Sequence, residues 1–241
     1  MMKPTTRSTR ARREFLAAGG ALIASFAAMR PTASHAAETA QPAANAEPEV
    51  STLEDLMREH GALRRILLMY DHLSGLLSSG KEFPAEVLTQ TIDIVRRFVQ
   101  DYHEYLEEQY LFPRFRKAGK LVDLTKVLLA QHNAGRRLLD QIKSLATAEA
   151  LKNGGQQKSL AELLRLFARM YRPHAAREDT ILFPAFHSIV TAKEYDALGD
   201  TFEDKEQELF GKDGFEKVVA QIAEMEQKLG LYELAQFTPP L

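Results

Sequence analysis

Two stretches of the chain carry the same pair of chemistry-bearing side chains in the same frame. HEYLEEQYLFP runs from His103 to Pro113, and HAAREDTILFP runs from His174 to Pro184. Each places a glutamate four residues after a histidine and closes on Leu-Phe-Pro. Residues four apart on a helix stack on one face, so each stretch aims an imidazole and a carboxylate in one direction. A single pair of this kind is a commonplace helix-surface contact, and its meaning depends on what else lies at the same depth.

Two further histidines supply that depth. His60 lies twenty residues before Gly80, and His103 nineteen after Pro84. At a rise of about 1.5 Å per residue they reach nearly the same height in an antiparallel hairpin. His132 lies twenty-two residues before Gly154, and His174 nineteen after Gly155. Counted through the turn near Gly119, the arms to His103 and His132 differ by only about 4 to 5 Å. Four imidazoles and the carboxylates of Glu107 and Glu178 therefore converge at one level. Six such ligands exceed what one zinc takes and suit two metal ions, each held by two imidazoles and bridged by both carboxylates. Six buried ionisable groups without a cation would carry a large desolvation cost. Imidazole and carboxylate without thiolate favour iron over manganese or zinc.

The elements that must position these groups are helices. From residue 51 onward the apolar residues recur at three and four rather than at two, which predicts an all-α domain. Breakers mark four long helices: from the cap at Ser51 to about Ser78; from Pro84 to Pro113 or slightly beyond; from about Val122 to Leu151; and from about Lys158 to Pro184. Short connections imply antiparallel neighbours, hence an up-down-up-down four-helix bundle over 51–190. EHGALRRILL, starting at Glu59, resembles QHNAGRRLLD, starting at Gln131, so each hairpin is a copy of one unit. Past Thr191 two amphipathic stretches form a C-terminal extension, 191–241, expected to pack on the bundle, with Phe215, Val218, Val219, Ile222, Met225 and Leu229 in one stripe. Pro173 removes a helical hydrogen bond just before His174 and should kink the fourth helix.

With the order His, His-x-x-x-Glu, His, His-x-x-x-Glu complete, residues 51–190 resemble the hemerythrin-like family of four-helix cation-binding domains. The resemblance implies a non-heme di-iron centre, oxo- or hydroxo-bridged, that meets dioxygen, nitric oxide or peroxide. It implies His60, His103, His132 and His174 as terminal ligands and Glu107 and Glu178 as bridges. The oxygen-carrying members have a second histidine one turn after the third-helix ligand, and here that position is Arg136. The four-histidine, two-glutamate pattern is similar to a branch that includes iron-centre repair proteins and sensors. Those repair proteins commonly carry a cysteine segment, and this chain has no cysteine.

Composition narrows the rest. Of 241 residues, 45% are apolar and 27% charged, as in ordinary globular proteins. The absence of cysteine excludes disulfides, thiolate zinc sites and cysteine-held clusters. Residues 1–36 read as a signal peptide: a basic start, an apolar run over 15–29, and small residues at Ser34 and Ala36. Arg12-Arg13 before Phe15-Leu16 looks like a twin-arginine motif, with Ala11 in place of the usual hydroxyl residue. Removing that segment leaves 25 of the 31 basic and 32 of the 33 acidic residues, a formal charge of −7. An acidic mature chain is a poor prospect for nucleic acid, and none is expected as a partner; the signal's apolar run is too short to span a membrane. Residues 37–50, rich in Ala, Pro and Glu, read as a disordered linker. The expectation is an exported di-iron protein that binds O2 or NO for storage, scavenging or sensing. A peroxidase or nitric oxide reductase on the same centre, or simple cation handling, is the alternative.

Two secondary groups complete the reading. Arg64, Arg65, Arg136 and Arg137 are expected to lie along the bundle surface, with the alternative that they steady a ligating glutamate. Tyr102, Tyr105, Tyr110 and Tyr171 are expected in the core, and His72 and His187 outside the site.

Overall fold

The computed structural model describes residues 50–240, and the stretches read above as a signal peptide and a linker lie, up to residue 49, outside the described residues. Six helices and, among the described residues, no strand make up the fold. Helix α1 (Thr52–Ser78) starts at Ser51, whose side chain accepts from the Glu54 N–H. That bond satisfies one of the amide donors a helix start leaves open. Helix α2 spans residues 85–118 and ends on Gly119, whose φ of 64° favours glycine. Helix α3 (Val122–Leu145) follows after only three residues. Helix α4 spans residues 154–186.

The connections at 79–84, 119–121 and 146–153 are short, so successive helices run antiparallel and close a four-helix bundle. In it α4 packs against both α1 and α3. The core is a continuous apolar cluster that includes Leu56, Ile66 and Tyr70 of α1, Phe98 and Phe112 of α2, Leu139 of α3, and Leu164 and Phe183 of α4. No described helix is long and apolar enough to cross a membrane.

Two boundaries differ from the sequence reading. Helix α3 stops at Leu145 rather than Leu151, and the chain passes through a short 3-10 turn, Ala150–Lys152. There the Thr147 side chain accepts from the Ala150 N–H, a local bond that competes with helix continuation. Helix α4 begins at Gly154, four residues earlier than the breaker pattern implied, because Asn153 caps it by accepting from the N–H groups of Gly155 and Gln156. Asn-Gly-Gly is thus the start of one helix and not the end of another. Pro173 sits inside continuous helix.

Neither long helix is α-helical throughout. Helix α2 widens into π turns over Val95–His103 and Glu107–Leu111, and α4 does so over Glu178–Leu182. In both copies of the repeat, the N–H of the Leu-Phe-Pro phenylalanine reaches the carbonyl of the glutamate five residues back: Phe112 to Glu107, Phe183 to Glu178. The following proline has no N–H and its ring crowds the carbonyl four residues behind it, and the wider turn accommodates that defect. Both repeats therefore place a π turn on their glutamate.

Helices α5 (Ala192–Phe210) and α6 (Gly214–Leu229) pack on each other and on α1 and α2. Thr191 and Glu194 form a reciprocal capping box at the start of α5. Arg65 of α1 clamps the Glu226 carboxylate of α6 with two hydrogen bonds, of 2.9 and 2.6 Å.

Candidate metal centre

The bundle brings the six residues singled out from spacing into one buried cluster, each no more than 4% exposed. The imidazole nitrogens form two facing pairs. His60 Nε2 lies 3.0 Å from His103 Nε2, and His132 Nε2 lies 3.2 Å from His174 Nε2. Each glutamate spans both pairs. Glu178 Oε2 is 3.3 Å from His60 Nε2 and 3.1 Å from His174 Nε2. Glu107 Oε2 is 3.7 Å from His103 Nε2 and 3.4 Å from His132 Nε2. Each pair thus combines one imidazole from each helix of a hairpin, and the carboxylates run between the pairs.

The far nitrogen of every ring is engaged. His60 Nδ1 donates to Asp179 Oδ1 at 2.7 Å, and His103 Nδ1 to Glu59 Oε2 at 2.7 Å. His132 Nδ1 donates to Glu108 Oε1 at 2.9 Å, and His174 Nδ1 to Gln131 Oε1 at 2.9 Å. Carboxylate oxygens, and the amide oxygen of Gln131, can only accept, so each ring carries a proton on Nδ1 and turns Nε2 inward. Lone pairs facing each other at 3.0 to 3.2 Å repel unless a cation lies between them. Two nitrogens each about 2.1 Å from one ion would stand at this separation.

All four oxygens of Glu107 and Glu178 are buried without a hydrogen bond. Buried carboxylate oxygens left so are costly, and a bridging cation removes that cost. The donor set fits metal ions on both counts.

The electrostatics of the metal-free protein show the same demand. Burial opposes a charge on His60, but the hydrogen bond to Asp179 and the nearby charges of Glu178 and Glu107 prevail and raise its pKa to about 10. Burial and the field of His60 hold His103 well below the ordinary imidazole value. Of those two rings, His60 is therefore the one that favours a proton when no metal is bound. Burial, joined by the field of Glu178, pushes Glu107 up to about 8. Glu178 is buried too, yet His174 and His60 hold it well below the usual carboxylate range. Divalent cations bound here would neutralise the same groups.

Around the ligands lie supporting residues, of which the sequence reading picked out Arg64, Arg136 and Tyr171 but not Glu59, Glu104, Glu108, Gln131 or Asp179. Arg64 binds the outer oxygen of Asp179, and Arg136 reaches Glu108 at 2.7 Å and Glu104 at 2.9 Å. These two arginines steady carboxylates that steady histidines, rather than only lining the bundle surface. Glu104 Oε1 also accepts from the Tyr171 hydroxyl at 2.6 Å. Phe183 stacks on His60 and Phe112 on His132, both with ring centroids 5.5 Å apart. The repeated phenylalanine therefore covers a histidine of the other hairpin. Tyr102 and Tyr171 are in the core, Tyr105 is 38% exposed, and Tyr110 is partly buried against the core. His187 is exposed and packs on Tyr195, and His72 lies outside the cluster.

A signal for the missed residues was present. Glu59 and Gln131 each precede the first histidine of their repeat, and Glu108 and Asp179 each follow its glutamate.

A family model described as the hemerythrin HHE cation binding domain matches residues 51–186. An uncharacterized protein of Mycobacterium bovis is 46% identical over 193 residues, covering 80% of this chain and 76% of that protein. Uncharacterized proteins of two Mycobacterium tuberculosis strains give the same figures. No solved structure gives a significant match.

Proposed function

Because the chain belongs to the hemerythrin HHE cation-binding family, we propose that it is a non-heme di-iron protein that binds a small diatomic ligand, O2 or NO. His60 and His103 would hold one ion, His132 and His174 the other, and Glu107 and Glu178 would bridge them. The pairing of four inward Nε2 atoms across two carboxylates with no hydrogen bond of their own carries this reading. With two histidines per ion, such a centre would offer an open coordination position and electrons to a small molecule. Phe112 and Phe183 would keep water from the rings they cover. The Nδ1 partners would fix each imidazole in the tautomer that ligates.

The test is metal analysis of protein purified without added metal. Two irons per chain are expected, and both should be lost in the Glu107→Ala/Glu178→Ala double variant while its helical circular dichroism persists. One zinc per chain, or no metal, would overturn the reading. Anaerobic reduction followed by oxygen separates binding from catalysis. A reversible charge-transfer band supports a carrier or sensor, and turnover of peroxide or nitric oxide would make the protein an enzyme on the same centre.

Export by the twin-arginine route belongs to the same proposal and rests on Arg12-Arg13 ahead of the apolar run. Folded passage would allow the metals to be loaded before export. Cell fractionation should find the chain outside the cytoplasm, and the Arg12→Lys/Arg13→Lys variant should retain it inside.

A further inference from the structure

The two repeats can be compared position by position, since α1 maps onto α3 at an offset of 72 residues and α2 onto α4 at 71. His60 corresponds to His132, His103 to His174, and Glu107 to Glu178. The surroundings follow the same rule: Glu108 corresponds to Asp179, Arg64 to Arg136, and Phe112 to Phe183. In each repeat the residue after the glutamate supports a histidine of the other hairpin, and an arginine sits on that carboxylate.

The symmetry fails where it touches the metal ligands most directly. The acceptor for His103 Nδ1 is the carboxylate of Glu59, only 2% exposed. The acceptor for His174 Nδ1 is the side-chain amide oxygen of the partly exposed Gln131. A hydrogen bond to a charged acceptor is roughly twice as strong as a neutral one. It makes the imidazole a better electron donor to a bound metal. The difference continues outward. Asp55 and Glu206 place carboxylate oxygens within 4.8 Å of that of Glu59. Asp55 corresponds to Val127, and Glu206 belongs to the extension, which has no counterpart.

Near the second pair, Glu104 is the additional acid, and it does not play the same part. Its oxygens face the Tyr171 hydroxyl and Arg136, and it accepts from no imidazole. Arg136 answers Glu108 and Glu104 together, whereas Arg64 answers Asp179.

We propose that the two metal positions are unequal, with the His60–His103 position binding a divalent cation first and more tightly than the His132–His174 position, and with Glu59 as the positioning residue that sets the difference. The proposal rests on the two-metal reading above. It also goes beyond it, because each position has two histidines and a share of both glutamates, so ligand count would leave them equal. The looser position is then the one that loses its ion first.

The experiment is anaerobic Fe(II) titration of the full, metal-free chain, with 57Fe as either the first or the second equivalent and Mössbauer spectra of both. Two binding steps separated by about 10- to 100-fold are expected, the range that loss of such a partner typically produces. The first and second irons should give different quadrupole doublets. Glu59→Gln should weaken the tighter step by that factor, so that the steps merge and the label spreads over both doublets. Gln131→Glu should strengthen the looser step independently, and the double exchange should restore two steps with the order of the doublets reversed. Equal steps in the unaltered protein, or a Glu59→Gln variant that keeps the separation or weakens both steps alike, would overturn the inequality while leaving two bound metals in place. No iron bound at all would instead overturn the two-metal reading.

Discussion

Gly135 of α3 offers the sharpest test of how the bundle holds its ligands. A Cβ at this position would stand 2.0 Å from the Tyr171 hydroxyl oxygen, 2.7 Å from its Cζ and 2.8 Å from its Cε2. Tyr171 cannot yield cheaply. Its ring is 1% exposed and lies between Phe167, at 4.4 Å between centroids, and His174, at 5.5 Å. Gly135→Ala must therefore displace the ring and break the 2.6 Å bond to Glu104. Overpacking costs about 1 to 3 kcal/mol. Losing a hydrogen bond to a charged group adds roughly 1.5 to 3 kcal/mol. Alanine returns about 1 kcal/mol of helix propensity. The net loss is about 2 to 5 kcal/mol, and at roughly 2 to 4 °C per kcal/mol for a domain of this size the Tm should fall by about 4 to 20 °C. Gly61 and Gly75 of α1, where an added methyl would meet nothing within 4 Å, are the controls: alanine there should leave the Tm unchanged or raise it. The assay is thermal unfolding followed by circular dichroism on metal-free protein. A Gly135→Ala variant that melts with the Gly61→Ala control would refute the close packing of Tyr171 on α3.

Three further outcomes are expected. Arg136→Ala leaves Glu104, a fully buried carboxylate, without its cation and with only the Tyr171 hydroxyl, and should cost about 3 to 5 kcal/mol. Arg64→Ala, at the corresponding position but on a side chain 46% exposed, should cost no more than about 1 kcal/mol in urea unfolding, and equal losses would contradict this reading. The metal-free protein should lose stability as pH rises. His60 and Glu107 both have raised pKa values, to about 10 and about 8, so each contributes stability at low pH that is lost as pH climbs through those values. The Tm should therefore decline between pH 6.5 and 10, and less steeply once metal has displaced the protons; a flat metal-free profile would count against the shifts. Deleting residues 191–241 should lower the Tm and produce binding of a hydrophobic dye, because Leu198, Phe202, Val218, Ile222 and Met225 are buried and Arg65 would lose Glu226. An unchanged melt would show that the extension is dispensable to the bundle.

Much of the architecture was legible because it is written in one-dimensional spacing. Breakers at Gly80, Pro84 and Gly119 separate the first three helices, and the apolar recurrence at three and four excludes strands. The six-residue cluster was legible for a different reason: duplication repeats it, so chance spacing in one copy is checked by the other. The early end of α3 was not, since Thr147 acts through a local side-chain bond rather than through a glycine or proline. The supporting residues were hidden for a geometric reason. A neighbour of a ligand in sequence points about 100° away from it on the same helix, which is where the next helix of the bundle lies. Glu59 beside His60 thus serves His103, and Asp179 beside Glu178 serves His60. Only the packing of two helices reveals such an exchange. Tyr171 and Gly135 share that limitation, since a missing side chain on one helix signals nothing until the ring that fills its place is seen.

The exchange also shows why duplication would be retained as two interlocked hairpins rather than as two independent sites. His60 of the first hairpin receives Glu178, Asp179 and the face of Phe183 from the second. His132 of the second receives Glu107, Glu108 and the face of Phe112 from the first. His103 and His174 take their Nδ1 partners from their own hairpins. Each hairpin alone would keep one supported histidine and leave the other without its carboxylate, its tautomer or its aromatic cover. The Leu-Phe-Pro ending follows from the same logic. Its proline forces the π turn at the glutamate, and its phenylalanine closes over the histidine that this glutamate faces across the bundle. The repeated motif is therefore a unit for building the opposite half of the centre, and the within-hairpin contact that differs between the copies, Glu59 against Gln131, is where the two halves can acquire different chemistry.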